Sequence, residues 1–530
     1  MTDWNLPTKP QNSRNAPDGG HILAEDQSRT VAFLGDPASY GASEPIETLE
    51  THVSRIFLTG DRAFKMKRAV KLPYVDFSSP ALRLAACEKE VAYNSATAPQ
   101  LYLGVRRITE EDGEPAFDGE GLLVDAVVEM KRFEQDCLLD RMAGQGRLTP
   151  RLMHDVARMI ARFHHSAPVV RGGAGGSGGA ANIAGVLDIN EAGFATSHVF
   201  DDEEVASFNA AFRTELARHA ELLDAREERG RVRRCHGDLH LRNICLFDGV
   251  PTLFDCIEFN DTIATVDVLY DLAFLLMDLW HRGLRDLANL VANRYLDGAD
   301  DEDGFTLLPF FMAVRAGVRA HVTATQVEEG GDGALAQSAR AYFDLARELL
   351  RPHPARLIAI GGFSGTGKTT VAEALAFRVG APPGARIAES DRVRKAMFKV
   401  PVDTRLGAEA YRSDVSKQVY DHLAESARLI AGNGGTVIVD AVYDRPERRA
   451  AIAGIATQTK TPFTGIWLEA DAELLRKRVA ARTAGPSDAT VDVLEGQLAW
   501  EAGAMDWMRI DAAQSPERIA ETIMKAAATR

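Results

Sequence analysis

From Thr51 to Val70, THVSRIFLTGDRAFKMKRAV, apolar and polar residues alternate on both sides of a turn at Thr59–Asp61, a pattern that predicts two paired strands. The period then changes. SPALRLAACEKEVAYNSATA (Ser79–Ala98) sets a serine ahead of good helix formers that carry an apolar stripe, so a helix is expected to pack on those strands. GLLVDAVVEMKRF (Gly121–Phe133) is an apolar run that turns polar at its end, as a buried strand leading into a hinge would. Helical periodicity follows in RLMHDVARMIARFHHSA (Arg151–Ala167) and again across residues 263–350. Between these stretches, RGGAGGSGGAA (Arg171–Ala181) has little to bury, no buried strand before it and no lysine after it, so it reads as a flexible insertion rather than a phosphate cradle. Beyond the connector RPHPAR, ARLIAIGG has the pattern of a buried strand and TTVAEALAFRV that of an amphipathic helix, so a second unit is expected to begin near Ala355.

A chain of 530 residues is too long for one hydrophobic core, since domains run to ~150 residues each. Apolar residues at 45% and charged residues at 26% predict globular domains with only local disorder. The formal charge of −15 argues against general nucleic-acid binding, which draws its affinity from a Lys/Arg excess, and makes a cationic or small neutral partner easier to accommodate. A local basic pocket remains compatible with an anion. Five cysteines without a CxxC pair suit a reducing compartment, so a cytoplasmic location is expected. The first 28 residues read as a disordered tail with neither the basic nor the apolar region of a secretory leader, and no run of about 18 apolar residues predicts a membrane span.

Two phosphate-handling patterns stand out against this background. In CHGDLHLRNI (Cys235–Ile244), His236, Asp238 and Asn243 fall in the order H-x-D-x-x-x-x-N, the spacing of a kinase catalytic loop. There the aspartate orients the attacking hydroxyl, and the asparagine, one short loop later, faces the phosphates and holds Mg²⁺. In LFDCIEF (Leu253–Phe259), Asp255 closes an apolar strand, where it would supply a second oxygen ligand to the same hard cation. If Asp238 merely capped a turn and Asp255 merely ended a strand, their joint spacing would go unexplained.

The second pattern, GGFSGTGKTT (Gly361–Thr370), satisfies G-x-x-x-x-G-K-[ST] from Gly362 to Thr369, between the predicted strand and helix. Backbone amides and the helix N-terminus would surround the phosphates of a nucleotide. Gly362, Gly365, Thr366, Gly367 and Thr370 belong to this loop and its helix start, Lys368 reaches the β/γ-phosphates, and Thr369 meets Mg²⁺. GGTVIVDAVY ends an apolar strand on Asp440, the expected place of a second metal-side carboxylate.

The first pattern resembles the aminoglycoside phosphotransferase-like branch of the kinase fold over roughly residues 30–350. The resemblance implies that Lys65, in AFKMKRAV, is the nucleotide-phosphate lysine and Glu90, in EKEVAYN, its helix partner, with Lys67 and Glu88 as alternates. No G-x-G-x-x-G phosphate loop lies in the strands ahead of Lys65, and the chain has no D-F-G triplet or A-P-E segment, which disfavours a protein acceptor. Asp267 and Asp271 continue the family-like pattern, and helix capping explains them equally well. In the second unit, the D-x-x-R of ARIAESDRVRKAMF resembles the acceptor motif of polynucleotide-kinase-like and zeta-toxin-like P-loop kinases, implying that Asp391 orients an acceptor hydroxyl and Arg394 holds an anionic group. A simple i,i+3 ion pair on a helix surface is the competing reading. LLRKRVAARTAGPSDATVDVLEGQ resembles the lid of the same superfamily, with Arg478 and Arg482 as charge stabilisers.

The expected architecture is therefore multi-domain: an α+β bilobal protein-kinase-like domain over residues 29–350, then an α/β P-loop NTPase domain with a mainly parallel sheet over residues 355–530. The expected function is a bifunctional phosphotransferase that uses ATP and Mg²⁺ on small-molecule hydroxyl acceptors. Two alternatives stay open: one catalytic domain regulated by a nucleotide-sensing partner domain, or an NTP-dependent interaction or toxin-control protein without a diffusible acceptor. Separate folds on either side of the connector predict two physically separate nucleotide sites.

Overall fold

A computed structural model describes residues 25–528 except 52, 73–74, 172–178, 300, 329, 332, 482–484 and 500–502. The alternating segment forms β2 (Ser54–Thr59) and β3 (Arg62–Lys67), with β1 (Glu47–Glu50) on the far side of β2. β4 (Tyr102–Glu111), β5 (Glu114–Phe117) and β6 (Leu122–Lys131) complete an antiparallel sheet in the order β1-β2-β3-β6-β4-β5. Helix α1 (Pro80–Asn94) starts on the Ser79 cap, whose hydroxyl accepts from Leu82 N, and packs on β6 and β4. The segment expected to be a tail is ordered from Glu25: Gln27 donates to Lys67 O and Asp125 and accepts from Ala69 N, and Glu25 pairs with Arg83. These contacts satisfy backbone groups at the end of β3, so the first domain begins earlier than residue 29.

The helical lobe is built around α3 (Val268–His281), every residue of which from Val268 to Trp280 is buried. Around it lie α2 (Pro150–Ser166), α4 (Arg285–Ala299), α5 (Leu308–Glu328) and α6 (Gly333–Leu349). The hairpin β7 (Ile244–Phe247) and β8 (Val250–Leu253) sits between the lobes. The Gly-rich insertion falls mostly outside the described residues; its last glycine, Gly179, opens a helix.

The second unit is a five-stranded parallel sheet of β9 (Leu357–Gly361), β10 (Arg386–Glu389), β11 (Val437–Asp440), β12 (Phe463–Glu469) and β13 (Met508–Asp511), ordered β10-β11-β9-β12-β13. α7 (Lys368–Ala376) follows the first strand and α8 (Ser390–Met397) the second, while α9 (Ala472–Ala480) and α10 (Val491–Leu498) lie beyond β12.

Besides the cores of their own sheets, the two units share one. One contiguous cluster of buried residues runs from Leu287 and Val291 of α4 through Leu357 of β9 and Ala388 of β10 to Trp467 and Trp507. β10 is an edge strand, and α4 blunts that edge: Asn293 Oδ1 accepts from Ile387 N at 2.7 Å and Asn289 Nδ2 donates to Ala385 O at 3.0 Å. Arg386, 6% exposed, donates to Asp297 at 2.8 Å and Glu302 at 2.9 Å. The connector separates two folds, yet their surfaces are joined by a buried polar seam.

Candidate active sites

In the first site, β3 points Lys65 and Lys67 to the same side, as period-two geometry requires. Glu90, fully buried on α1, takes both: Lys65 Nζ lies 2.8 Å from one carboxylate oxygen and Lys67 Nζ 2.5 Å from the other. Glu88 is exposed, so Glu90 is the helix partner of both lysines. Lys65 also reaches Asp255 Oδ1 at 2.5 Å, and Lys67 pairs with Glu258. Burial by itself would lower the Lys65 pKa, but Asp255, Glu90 and Glu258 outweigh it and hold the ammonium well above its ordinary value. Glu258, three residues after Asp255 in LFDCIEF, is a site residue that sequence reasoning missed, since no local pattern sets it apart from any other acid.

The loop from His236 to Asn243 is held from below. Asp271 of α3 accepts from His236 N at 3.2 Å and Gly237 N at 2.8 Å, and Asp278 accepts from Leu241 N at 3.1 Å. Asp267 caps α3 and pairs with Arg226, a structural role. Asn243 Nδ2 donates to the Asp238 carbonyl at 2.9 Å and to its carboxylate at 3.0 Å, which leaves Asn243 Oδ1 as the oxygen it can offer a cation. Asp255 adopts φ 62°, a left-handed conformation that costs a non-glycine residue energy and is concentrated at functional sites. An amide oxygen, a strained carboxylate and the adjoining lysine form a donor set that suits Mg²⁺ and nucleotide phosphates.

In the second site, Gly365 takes φ 87°, and a Cβ there would lie 2.9 Å from Leu475 O; Gly367, at φ 83°, caps α7. Lys368 Nζ folds back to Phe363 O at 3.4 Å, and Thr369 Oγ1 lies 2.6 Å from Asp440 Oδ2 and 3.3 Å from Glu389 Oε1. Thr366 is buried, its hydroxyl donating to Phe363 O at 2.8 Å; Gly362 turns out of β9 at φ 142°, and Thr370 continues the first turn of α7. Glu389, the last residue of β10, was not anticipated from the motif. Burial raises both carboxyls: Arg392 pulls Glu389 back down while Asp440 adds to its rise, and Lys368 opposes the rise of Asp440. Two buried carboxylates around one hydroxyl form a site that fits a divalent cation.

Asp391 and Arg394 do not form the surface ion pair of the competing reading. Arg394 is buried, donates to Ala410 O, lies over the Tyr411 ring at 4.7 Å and leaves Nε without a partner. Asp391, partly exposed at the start of α8, lies close enough to Glu389 to raise its pKa. Arg478 differs from expectation: its guanidinium donates to Ala512 O at 2.9 Å and Gly365 O at 3.5 Å, because α9 packs behind the loop. It braces the loop's carbonyl side, whereas phosphates meet the amide side. α9 ends at Ala480, and Arg482 lies outside the described residues. On the lid side, Gln497 of α10 accepts from Ser364 N at 2.7 Å.

Comparison with known proteins matches the model of the phosphotransferase enzyme family over residues 130–307 and that of an AAA domain over residues 357–502. Uncharacterized proteins of Mycobacterium tuberculosis and Mycobacterium bovis are 30% identical over 478 residues, covering 89% of this chain and 93% of theirs. Among solved structures, a choline/ethanolamine kinase family protein from Mesorhizobium loti covers 61% of this chain and 93% of its own at 14% identity and TM-score 0.40. A gluconokinase from Sinorhizobium meliloti covers 34% and 94% at 22% identity and TM-score 0.25.

Proposed function

Given that this chain belongs to the same family as the mycobacterial proteins and is a kinase that joins a phosphotransferase-family domain to a P-loop domain, we propose that it is bifunctional, each domain transferring the γ-phosphoryl group of ATP to a small-molecule hydroxyl. The observation that carries this reading is the presence, in both units, of a lysine beside a carboxylate at the two motifs: Lys65 with Asp255, and Lys368 with Asp440.

In the first unit Asp238 orients the acceptor hydroxyl and receives its proton, with Asn243 fixing the carboxylate through its amide. Lys65, oriented by Glu90, meets the phosphates of the donor. Asn243 and Asp255 would hold Mg²⁺, which when bound neutralises charge on the phosphoryl oxygens. In the second unit the loop amides and Lys368 cradle the phosphates, and Thr369, Asp440 and Glu389 would hold the ion. Asp391 orients the acceptor, and Arg394 binds its anionic group. Small molecules rather than nucleic acid are the expected partners, given the charge of −15.

A second reading has one domain sense nucleotide for the other, and the polar seam favours it. Arg392 spans Glu389 at 2.8 Å and Asp297 of α4 at 3.6 Å, which links the P-loop site to the helical lobe. Calorimetric titration with a non-hydrolysable ATP analogue and Mg²⁺ tests both. Two sites are expected for the intact chain and one each for Lys368→Ala and Asp255→Ala. A stoichiometry of one for the intact chain refutes the two-site reading. Loss of both sites in folded single variants replaces independence with regulation.

A further inference from the structure

Beside the catalytic loop of the first unit lies a small pocket lined by His240, Arg242, Asp278, Arg282, Arg319 and Tyr342, with Phe274 at its floor. Its position is set by the catalytic base. His240 Nε2 is 3.3 Å from Asp238 Oδ2, and the His240 ring is fixed edge-on against Phe274 at 5.0 Å. One side chain, His240, thus separates Asp238 from the pocket that the three arginines line.

The charge of that pocket is opposite in sign to the charge of the whole chain. Three guanidiniums line it against one carboxylate, Asp278. Both oxygens of Asp278 are engaged, one by Leu241 N at 3.1 Å and the other by Arg282 Nε at 2.8 Å. Asp140 stands 3.5 Å from Arg242 Nε, and even with it counted the cations outnumber the carboxylates three to two. Arg319 lies 5.4 Å from the centre of the Tyr342 ring, whose other contact is the stacked His281 at 4.2 Å. An ammonium group placed here would meet three like charges, and the one carboxylate that lines the pocket, Asp278, has both oxygens engaged. An oxyanion would meet guanidinium donors whose planar fork matches phosphate and carboxylate oxygens.

We propose that the acceptor of the kinase-like site is an alcohol bearing an oxyanionic group, phosphate or carboxylate, which Arg242, Arg282 and Arg319 hold while its hydroxyl meets Asp238. The proposal rests on the phosphotransferase reading of that site. In the transfer the hydroxyl oxygen forms a bond to the γ-phosphorus, the bond from that phosphorus to the β,γ-bridging oxygen breaks, ADP keeps the electron pair, and the hydroxyl proton passes to Asp238.

The test uses the full-length Lys368→Ala protein, saturated with Mg²⁺ and a non-hydrolysable ATP analogue. Glycerol 3-phosphate, glycerate, glycerol and 2-aminoethanol are titrated calorimetrically, the first two separating phosphate from carboxylate recognition. One or both anionic alcohols should bind more tightly than glycerol and 2-aminoethanol. Arg319→Gln should weaken anion binding about tenfold or more, the loss expected for one charge-assisted hydrogen bond, and leave analogue affinity unchanged. Arg319→Lys, which keeps the charge, should recover part of that loss and guards against a folding defect. Tighter binding of 2-aminoethanol, absence of anion binding, or anion binding indifferent to Arg319→Gln overturns the proposal. Failure of the analogue itself to bind overturns the phosphotransferase reading, and the acceptor proposal with it.

Discussion

Replacing Arg386 by alanine tests whether the two units behave as one body. The residue is 6% exposed at the seam, with Asp297, Glu302 and Asn293 Oδ1 at 2.8, 2.9 and 3.1 Å. Truncation of a buried pair costs about 3–5 kcal/mol, most of it from the charge left behind. Two features bring the expectation to the low end of that range. Asp297 keeps Arg294 at 2.9 Å, and Glu302, with 23% of its side chain exposed, can rehydrate. A loss of about 3 kcal/mol in unfolding free energy is therefore expected. The assay is urea unfolding followed by tryptophan fluorescence, to which Trp467 and Trp507 contribute from within the shared core. A double-mutant cycle with Asp297→Asn should return a coupling of about 1–2 kcal/mol, within the range for residues in one network. A loss below about 1 kcal/mol, the value of an exposed ion pair, would refute the buried-seam argument.

Other expectations follow from the sites themselves. Asp238→Ala, in the Lys368→Ala background, should abolish labelled phosphoryl transfer from ATP while nucleotide affinity stays nearly intact; normal turnover would remove Asp238 from its role. Lys65→Met should raise the KM for ATP or abolish turnover, whereas Lys67→Met, whose partners Glu90 and Glu258 lie behind Lys65, should act mainly on stability; equal nucleotide defects in folded proteins would contradict that division. Glu389 and Asp440 bind protons more readily folded than unfolded, so in the ligand-free protein their contribution to stability falls as pH rises above about 4. Glu389→Gln should accordingly stabilise the ligand-free protein at pH 8 and weaken Mg²⁺-dependent nucleotide binding, and thermal melts with and without Mg²⁺ would expose the opposite result. Alanine at Asp391 or Arg394 should spare nucleotide affinity and remove acceptor-dependent turnover; a large loss of ATP affinity in a folded variant would reassign them.

Local pattern was enough to identify the parts. The alternation in Thr51–Val70, the helix start at Ser79, the strand before Gly362 and the spacing from His236 to Asn243 are properties of short segments, and short-range sterics and hydrogen bonding act over that range. For the same reason Asp255 and Asp440 were legible as strand-end carboxylates. Long-range relations were not. Glu258 and Glu389 are ordinary acids in the sequence and acquire meaning only where folding sets one against Lys67 and the other near Thr369. Arg478 looked like a lid cation, but the packing of α9 behind the loop turned it towards backbone carbonyls. The connector suggested two free-standing domains because composition marks a linker and says nothing of the surfaces on either side. Those surfaces meet because the edge of β10 needs donors and acceptors that α4 supplies. Net charge is likewise silent about local fields: −15 is a sum over the whole chain, while Arg242, Arg282 and Arg319 lie 37 to 77 positions apart in the sequence and line one pocket only after folding. The sequence by itself determined the two phosphate-handling motifs and the elements that carry them; tertiary packing decided which charges face which, because electrostatic energy depends on distance through space rather than along the chain.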